Sequence, residues 1–454
     1  MSKMFKLKEY IPFYKRNINL AVPVMITQAG QMVVQMADNI MVGHLGTAPF
    51  AGVSFANSIF VIGMAFCICF TQGLTPYAGQ NYGSGNWKEV TGYFQNALLL
   101  NFLMGLAVTL IMSLILPCMQ FMGQDPDILV YAKSYYRVML FSMLPFIIFF
   151  TIRNFSEGIG ITKYAMYITL SANILNIFLN WILIYGRLGA PQMGVAGAAV
   201  STLVSRIIML ASFCIMILSK DEYRKFTSLM EKKFLSKEKL KNLFGTSMPI
   251  AAQGFIEVTA FSLSGIMVGW FGKIALAAHQ IAMIMSTFTF LVAQGIGAAA
   301  TIRVSHQLGE KDYAATRKAG FAAMHLAVAF MSMAGIIYVI LQNKIPLLFS
   351  SDPQVISLAS TLLLMCAIYQ VFDALQLSGL ACLRALMDVK IPLLFSTLSY
   401  YFICLPFGYL FGHVLNFGPV GIWIGLMLGL MAASALFLHR FNKQSKKLIE
   451  RNCR

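Results

Sequence analysis

The sequence predicts an all-α integral membrane protein, with twelve transmembrane helices in two pseudo-symmetric six-helix bundles. Three observations carry that expectation. Of 454 residues, 58% are hydrophobic and only 11% charged, with a mean hydropathy of +0.72, whereas a soluble domain is roughly 25% charged. Apolar runs of roughly 20 residues recur along the whole chain, each long enough to cross about 30 Å of hydrocarbon as a helix. The second half also repeats landmarks of the first. No water is available inside a bilayer, so each run must close its own backbone hydrogen bonds, which makes it a helix. A transmembrane barrel would show short alternating segments instead.

The elements follow from breaks at Gly, Pro and charged clusters. A first span near 17–42 leaves through MVGHLG (41–46). Spans near 50–75 and 93–118 flank NYGSGNW (81–87). QDPDI (124–128) opens a fourth near 130–155, a fifth covers 164–186, and GVAG (194–197) opens the sixth, 194–219. The one long polar interruption, KDEYRKFTSLMEKKFLSKEKLKN (220–242), reads as a basic linker between an N-lobe (1–219) and a C-lobe (243–440). A tail, 441–454, closes the chain. The seventh span, near 244–271, leaves through MVGWFG (267–272), and the eighth covers 275–302. QLGEKDY (307–313) leads to the ninth (317–340) and SDPQV (351–355) to the tenth (355–381). The eleventh covers 392–412, and GPVG (418–421) opens the twelfth, 419–440.

Those landmarks occur in the same order in both halves, at an offset of 226 that becomes 227 after one inserted residue and 224 at GVAG and GPVG. An even number of spans per half gives the two repeats one orientation, related by an axis along the membrane normal. Two parallel six-helix bundles with a cleft between them are the architecture of an alternating-access transporter. Most of the 34 Lys and Arg fall in the termini, the linker and the even-numbered connections, while Lys133, Arg137, Arg187, Lys273 and Lys344 lie on the other side. By the positive-inside rule both termini and the linker are then cytoplasmic, in a multi-pass protein of a bacterial inner membrane. The net charge of +17 is thus a topology signal. No basic helix interleaved with aromatics points to nucleic acid. Lys3, Lys6, Lys8, Lys15 and Arg16 precede the first apolar run without a small-residue cleavage site, so that run reads as an uncleaved span. The eight cysteines, Cys453 among them, are spaced for neither zinc nor a disulfide framework.

A charge at mid-helix costs roughly 2.5–3.5 kcal/mol, so one that persists is paired or functional. Three acids sit well inside apolar runs: Asp38, Glu257 and Asp373. Helical spacing gives each polar company on one face. Gln28, Gln31 and Gln35 precede Asp38. Gln253 precedes Glu257, and Tyr369 and Gln376 flank Asp373. Asn173, Asn176 and Asn180 form a stripe on the fifth span, and Ser201 and Thr202 add hydroxyls on the sixth. The amides serve equally as interhelical hydrogen-bonding groups. The carboxylates read as cation or proton sites, with Arg206 the one base at mid-span. No nucleotide-binding loop and no hydrolase or metalloprotease motif is present. The chain is therefore expected not to be an enzyme, to need no cofactor, and to draw energy from an ion gradient.

The chain resembles the multidrug and toxic compound extrusion (MATE) transporters, and their NorM-like branch, over roughly residues 15–440. The resemblance rests on ADNIMVGHLG (37–46), QGFIEVTAFSLSGIMVGWFG (253–272), the loop motif QNYGSGN with its counterpart HQLGEKD, and YQVFDALQLSGLACLRALMD (369–388). It implies a V of two six-helix lobes exporting cationic, often aromatic compounds, as a monomer, in exchange for Na⁺ or H⁺. The positions matching the family's C-lobe cation site are Glu257, Asp373 and Tyr369, the candidate Na⁺ ligands. Those matching its N-lobe site are Asp38, Asn176 and Asn180, where some relatives carry an acid at the position of Asn180. Two other readings stand beside it. One is a lipid-linked saccharide flippase of the same superfamily, which would carry basic residues in its cavity. The other is a membrane-embedded enzyme using paired carboxylates.

Overall fold

The computed structural model of the chain describes residues 9–452. Lys3, Lys6, Lys8 and Cys453 lie outside them. Among the described residues, twelve helices are long and apolar enough to cross a membrane: Ile11–Gly43, Thr47–Gly83, Trp87–Phe121, Pro126–Gly158, Lys163–Tyr185, Gly194–Ser219, Lys237–Gly269, Lys273–Gly309, Tyr313–Leu341, Pro353–Ala385, Lys390–Val414 and Pro419–Arg451. Most overrun the boundaries read from hydropathy. The second and eighth have 37 residues each, about 55 Å at 1.5 Å per residue, so they stand well clear of a 30 Å hydrocarbon layer. Gln80–Gly83 and His306–Gly309, expected in loops, are therefore the last helical turns of these two spans.

Local chemistry sets the helix starts, and it is duplicated. Asn86 caps the third span by accepting from Glu89 N at 3.3 Å, and Asp312 caps the ninth by accepting from Ala315 N at 2.9 Å. Asp125 and Asp352 cap the fourth and tenth, each followed by a proline whose missing N–H is no loss at a first helical position. Before the Asn86 and Asp312 caps the chain turns through a left-handed residue. This is Gly85 in the first half (φ 74°) and Lys311 in the second (φ 61°).

The eleventh span is irregular. Leu398–Cys404 and Leu410–Val414 are π-helical, on either side of Pro406, which cannot donate a backbone bond. The first π segment turns Tyr400 and Tyr401 to the seventh span, where they bond Glu257 and Thr259. Gly421, Gly425 and Gly429 let the twelfth span lie directly on this segment. A Cβ on Gly425 would overlap the backbone of Gly408, and one on Gly429 the Cys404 side chain.

The chain forms two compact units. Unit one holds the residues up to Met25 together with Ala252–Arg454, and unit two holds Ile26–Ala251. Each boundary falls inside a continuous helix two residues after a proline, Pro23 in the first span and Pro249 in the seventh. Within unit one, Asn17 donates to Ala319 O at 3.3 Å, and Gly295 makes room for Ala21 and Met25. Within unit two, Tyr77 donates to Asn242 O at 3.1 Å, Lys239 pairs with Glu89 at 3.1 Å, and Gly73 makes room for Ser247. The polar stretch 220–242 is docked on the same unit. Its short helix Asp221–Thr227 buries Tyr223 and Phe226, and Asn96 holds Phe234 O and Ser236 N.

The core of unit two gathers around Phe60, Tyr136, Met139, Met143 and Ile147. One core of unit one gathers around Leu362, Cys366, Tyr369, Trp423 and Leu426. The seven described cysteines are free thiols.

Candidate functional site

In unit two, the fifth span reaches the Asp38 carboxylate. Asn180 Nδ2 donates to Asp38 Oδ1 at 2.5 Å and is also 3.3 Å from Asn176 Oδ1. Gly30 permits the approach, because a Cβ there would strike Leu170. Tyr185, further along the fifth span, donates to Met41 O at 3.0 Å and fixes the register. Asn176 and Asn180 are buried and Asp38 is half-buried.

Gln28 and Gln31 are half-buried and Gln35 is exposed. Thr202 and Ser201 spend their hydroxyls on Ala198 O and Gly197 O of their own helix. The cation near Asp38 is Arg206, within electrostatic reach of both Asp38 and the buried Tyr135. It donates to Ser142 Oγ at 2.6 Å and lies over Phe146 at 4.2 Å and Phe60 at 5.6 Å.

In unit one, Glu257 of the seventh span and Asp373 of the tenth lie within electrostatic reach of one another. Tyr400 donates to Glu257 Oε1 at 3.3 Å. Gln376 stands against the same carboxyl, and its buried amide has no other partner. Tyr369, one turn before Asp373, is buried, hydrogen-bonds Ser286, and meets Trp423 edge-on at 5.8 Å. Trp423 in turn donates to His279 Nδ1 at 3.1 Å, so His279 is a packed core residue. Gln253 bridges two neighbours: its Nε2 donates to Ser396 Oγ at 3.1 Å and its Oε1 accepts from Arg384 at 3.2 Å. All five residues named for this half, Glu257, Asp373, Tyr369, Gln253 and Gln376, thus share one neighbourhood. No group of three or more His, Cys, Asp or Glu that could hold a metal is found among the described residues. A cation here would rest on the two carboxylates and on neutral oxygens.

One expectation is extended and one corrected. Beside the three acids well inside apolar runs, Glu157 in the last turn of the fourth span is a further buried acid, paired with Arg153 at 2.6 Å. Arg206 is not the only base inside the helices, since Arg153 and Arg384 lie there too. Glu157 and Arg384 lie beyond the ends read for the fourth and tenth spans, 155 and 381, whereas Arg153 lies inside the fourth. Tyr400, Ser286 and Ser396 were also missed, because a lone hydroxyl in an apolar run carries no signal of its own. Arg384 did have one: the repeat sets it opposite Glu157.

Comparison with known proteins agrees with this architecture. The family model described as MatE matches residues 23–182 and again 249–410, and the two matches start 226 residues apart, the offset that relates the first landmarks of the two halves. The chain belongs to the MATE family. As a MATE protein it is a multi-pass membrane transporter and not an enzyme, which removes the reading of paired carboxylates as a catalytic dyad. Multidrug resistance protein NorM of Vibrio vulnificus (strain YJ016) is 31% identical over 95% of this chain and 96% of its own length. Multidrug resistance protein MdtK of Yersinia pseudotuberculosis serotype O:1b is 29% identical over 97% and 98%. The outward-facing conformation of a multidrug resistance MATE family transporter of the MOP superfamily covers 96% of this chain and 97% of that one, with a TM-score of 0.89 at 20% identity. The eukaryotic MATE transporter AtDTX14 covers 97% and 99%, with a TM-score of 0.87 at 19% identity. At those identities the solved structures speak to the fold alone.

Proposed function

We propose that this MATE protein is a secondary active antiporter that exports cationic or aromatic organic compounds in exchange for Na⁺ or H⁺ by alternating access. The observation that carries the reading is the pair Glu257 and Asp373, set close together at span depth beside the Tyr369 and Tyr400 hydroxyls. Two carboxylates in such a place repel, and a Na⁺ or a proton held between them removes the repulsion. Asp38 with Asn180 and Asn176 provides a second, single-acid site in the other unit. Relatives named for multidrug resistance support the cargo class. The flippase reading calls for basic groups free to meet phosphate. Of the arginines near the acid sites, Arg206 is engaged by Ser142 with Phe146 and Arg384 by Gln253, and Arg153 is paired with Glu157. The chain acts as a monomer in a bacterial inner membrane, with the termini and the 220–242 segment cytoplasmic, as the distribution of Lys and Arg indicates.

The test is transport in liposomes. An imposed Na⁺ or proton gradient should drive ethidium movement through the purified protein, and Asp38→Asn, Glu257→Gln and Asp373→Asn should each reduce it to the level of empty vesicles. Ethidium movement indifferent to both gradients would refute antiport. Full transport by all three variants would refute the site assignment.

A further inference from the structure

Unit one holds a cation that the coupling scheme above leaves unused. Arg384 stands in the last turn of the tenth span, and its Nη2 donates to Gln253 Oε1 at 3.2 Å. Gln253 is one turn before Glu257 on the seventh span, and its amide nitrogen is tied to Ser396, which presents its oxygen to the guanidinium. Helical side chains lean toward the N-terminus of their helix. That carries the Arg384 head back along the tenth span, in the direction of Asp373. There the guanidinium is within electrostatic reach of Glu257. The other groups facing Glu257 are Tyr400 from the eleventh span, and Gln376, Asp373 and Tyr369 from the tenth. Arg384 supplies the positive charge among them.

The repeat gives an independent argument. At the offset of 227, Arg384 corresponds to Glu157 and Leu380 to Arg153. In the first half the charge is closed within its own helix by the 2.6 Å pair of Arg153 and Glu157. In the second half the residue one turn earlier is the buried, apolar Leu380. The guanidinium is directed to the seventh span instead.

We propose that Arg384 is the resident counter-cation of Glu257: it compensates the carboxylate while the coupling cation is absent and yields to that cation when it binds. The proposal rests on reading Glu257 and Asp373 as the coupling site. A tethered guanidinium leaves the empty site with one uncompensated buried charge instead of two. Because the arriving ion must displace it, the guanidinium also weakens the ion's hold, which a transporter needs in order to release its ion.

The experiment is a double-mutant cycle on the purified full chain in detergent, read as thermal stability. Wild type, Arg384→Gln, Glu257→Gln and the double variant are compared in Na⁺-free alkaline buffer, then in saturating NaCl, and separately at acidic pH. In the Na⁺-free buffer, loss of Arg384 should shift the unfolding equilibrium roughly tenfold when Glu257 is present and little in the Glu257→Gln background. Either NaCl or acid should collapse that difference, and Arg384→Lys should preserve it. Additive effects in the Na⁺-free buffer would overturn the proposal. So would an interaction whose size neither Na⁺ nor protons change. If Arg384→Gln does not yield folded protein, Gln253→Met, which loosens the guanidinium but keeps its charge, replaces it in the cycle with the same expectations. The two readings fail separately. Intact gradient-driven ethidium efflux in Glu257→Gln would sink the coupling site, whereas an additive cycle with efflux lost would sink the role of Arg384 alone.

Discussion

Breaking the Arg153–Glu157 pair should destabilise the protein more than removing any single surface charge. The two side chains are 6% and 7% exposed, and Nε lies 2.6 Å from Oε1. Removing one partner strands a desolvated charge, at a cost of about 3–5 kcal/mol. For a cooperative unit of about 200 residues each kcal/mol is worth about 2–4 °C, so the apparent melting temperature should fall by roughly 6–20 °C. Glu157→Gln leaves the guanidinium stranded, and Arg153→Met leaves the carboxylate. The double change Arg153→Met with Glu157→Leu strands neither, and buried pairs replaced by apolar residues of similar volume are often neutral or better. Met at 153 also keeps contact with the Phe150 ring, which now lies 5.3 Å from the guanidinium carbon. The assay is a thermal melt of the detergent-purified protein, followed by intrinsic fluorescence. A double variant that melts as low as either single variant would refute the reasoning, because it would mean that both groups are needed for something other than each other.

Two further outcomes follow from the backbone. Gly425→Val should abolish recovery of folded protein, since even a Cβ there overlaps Gly408; a monodisperse peak of normal yield on size exclusion would contradict the packing described. Lys311→Gly should raise the melting temperature slightly, by releasing about 1 kcal/mol of left-handed strain at φ 61°, and a lower melting temperature would show that the lysine side chain makes a contact worth more than the strain.

The fold was legible because the bilayer leaves so few solutions. Apolar runs must be helices, and the landmarks recurring at an offset of 226 announced two related halves. Helix ends were less legible, since hydropathy stops reporting where a helix leaves the hydrocarbon, and the turns at Gln80–Gly83 and His306–Gly309 lie beyond that point. The π segments around Pro406 left no trace in the pattern, although they aim Tyr400 at Glu257. Glu257 and Asp373 stand out in the sequence because a carboxylate in an apolar run is costly, and one-turn spacing groups Tyr369 with Asp373; the structure brings the three into one neighbourhood. The same logic placed Gln31 and Gln35 on the face of Asp38. Spacing says which residues share a face, but not whether that face meets a partner, and the group that reached Asp38 was Asn180 from another helix.

The repeat separates what duplication had to keep from what it could change. Asn86 and Asp312, Asp125 and Asp352, and Gly85 and Lys311 stand at matching positions because a helix must be capped and a chain reversed wherever the fold asks for it. At the turn the backbone was retained even where glycine was not. The charged residues follow no such rule. Asp38 is matched by Ser264, Glu157 by Arg384 and Arg153 by Leu380. A buried charge is constrained by what faces it across the bundle, and those faces differ. One acid is met by an asparagine, itself beside a second asparagine, near an arginine stacked on phenylalanine. The acid pair is met by two tyrosines beside an arginine held by an amide. The two halves therefore share a scaffold and not a site, and a substitution at Asp38 and one at Glu257 disturb different chemistry even though both remove a carboxylate from a transmembrane helix.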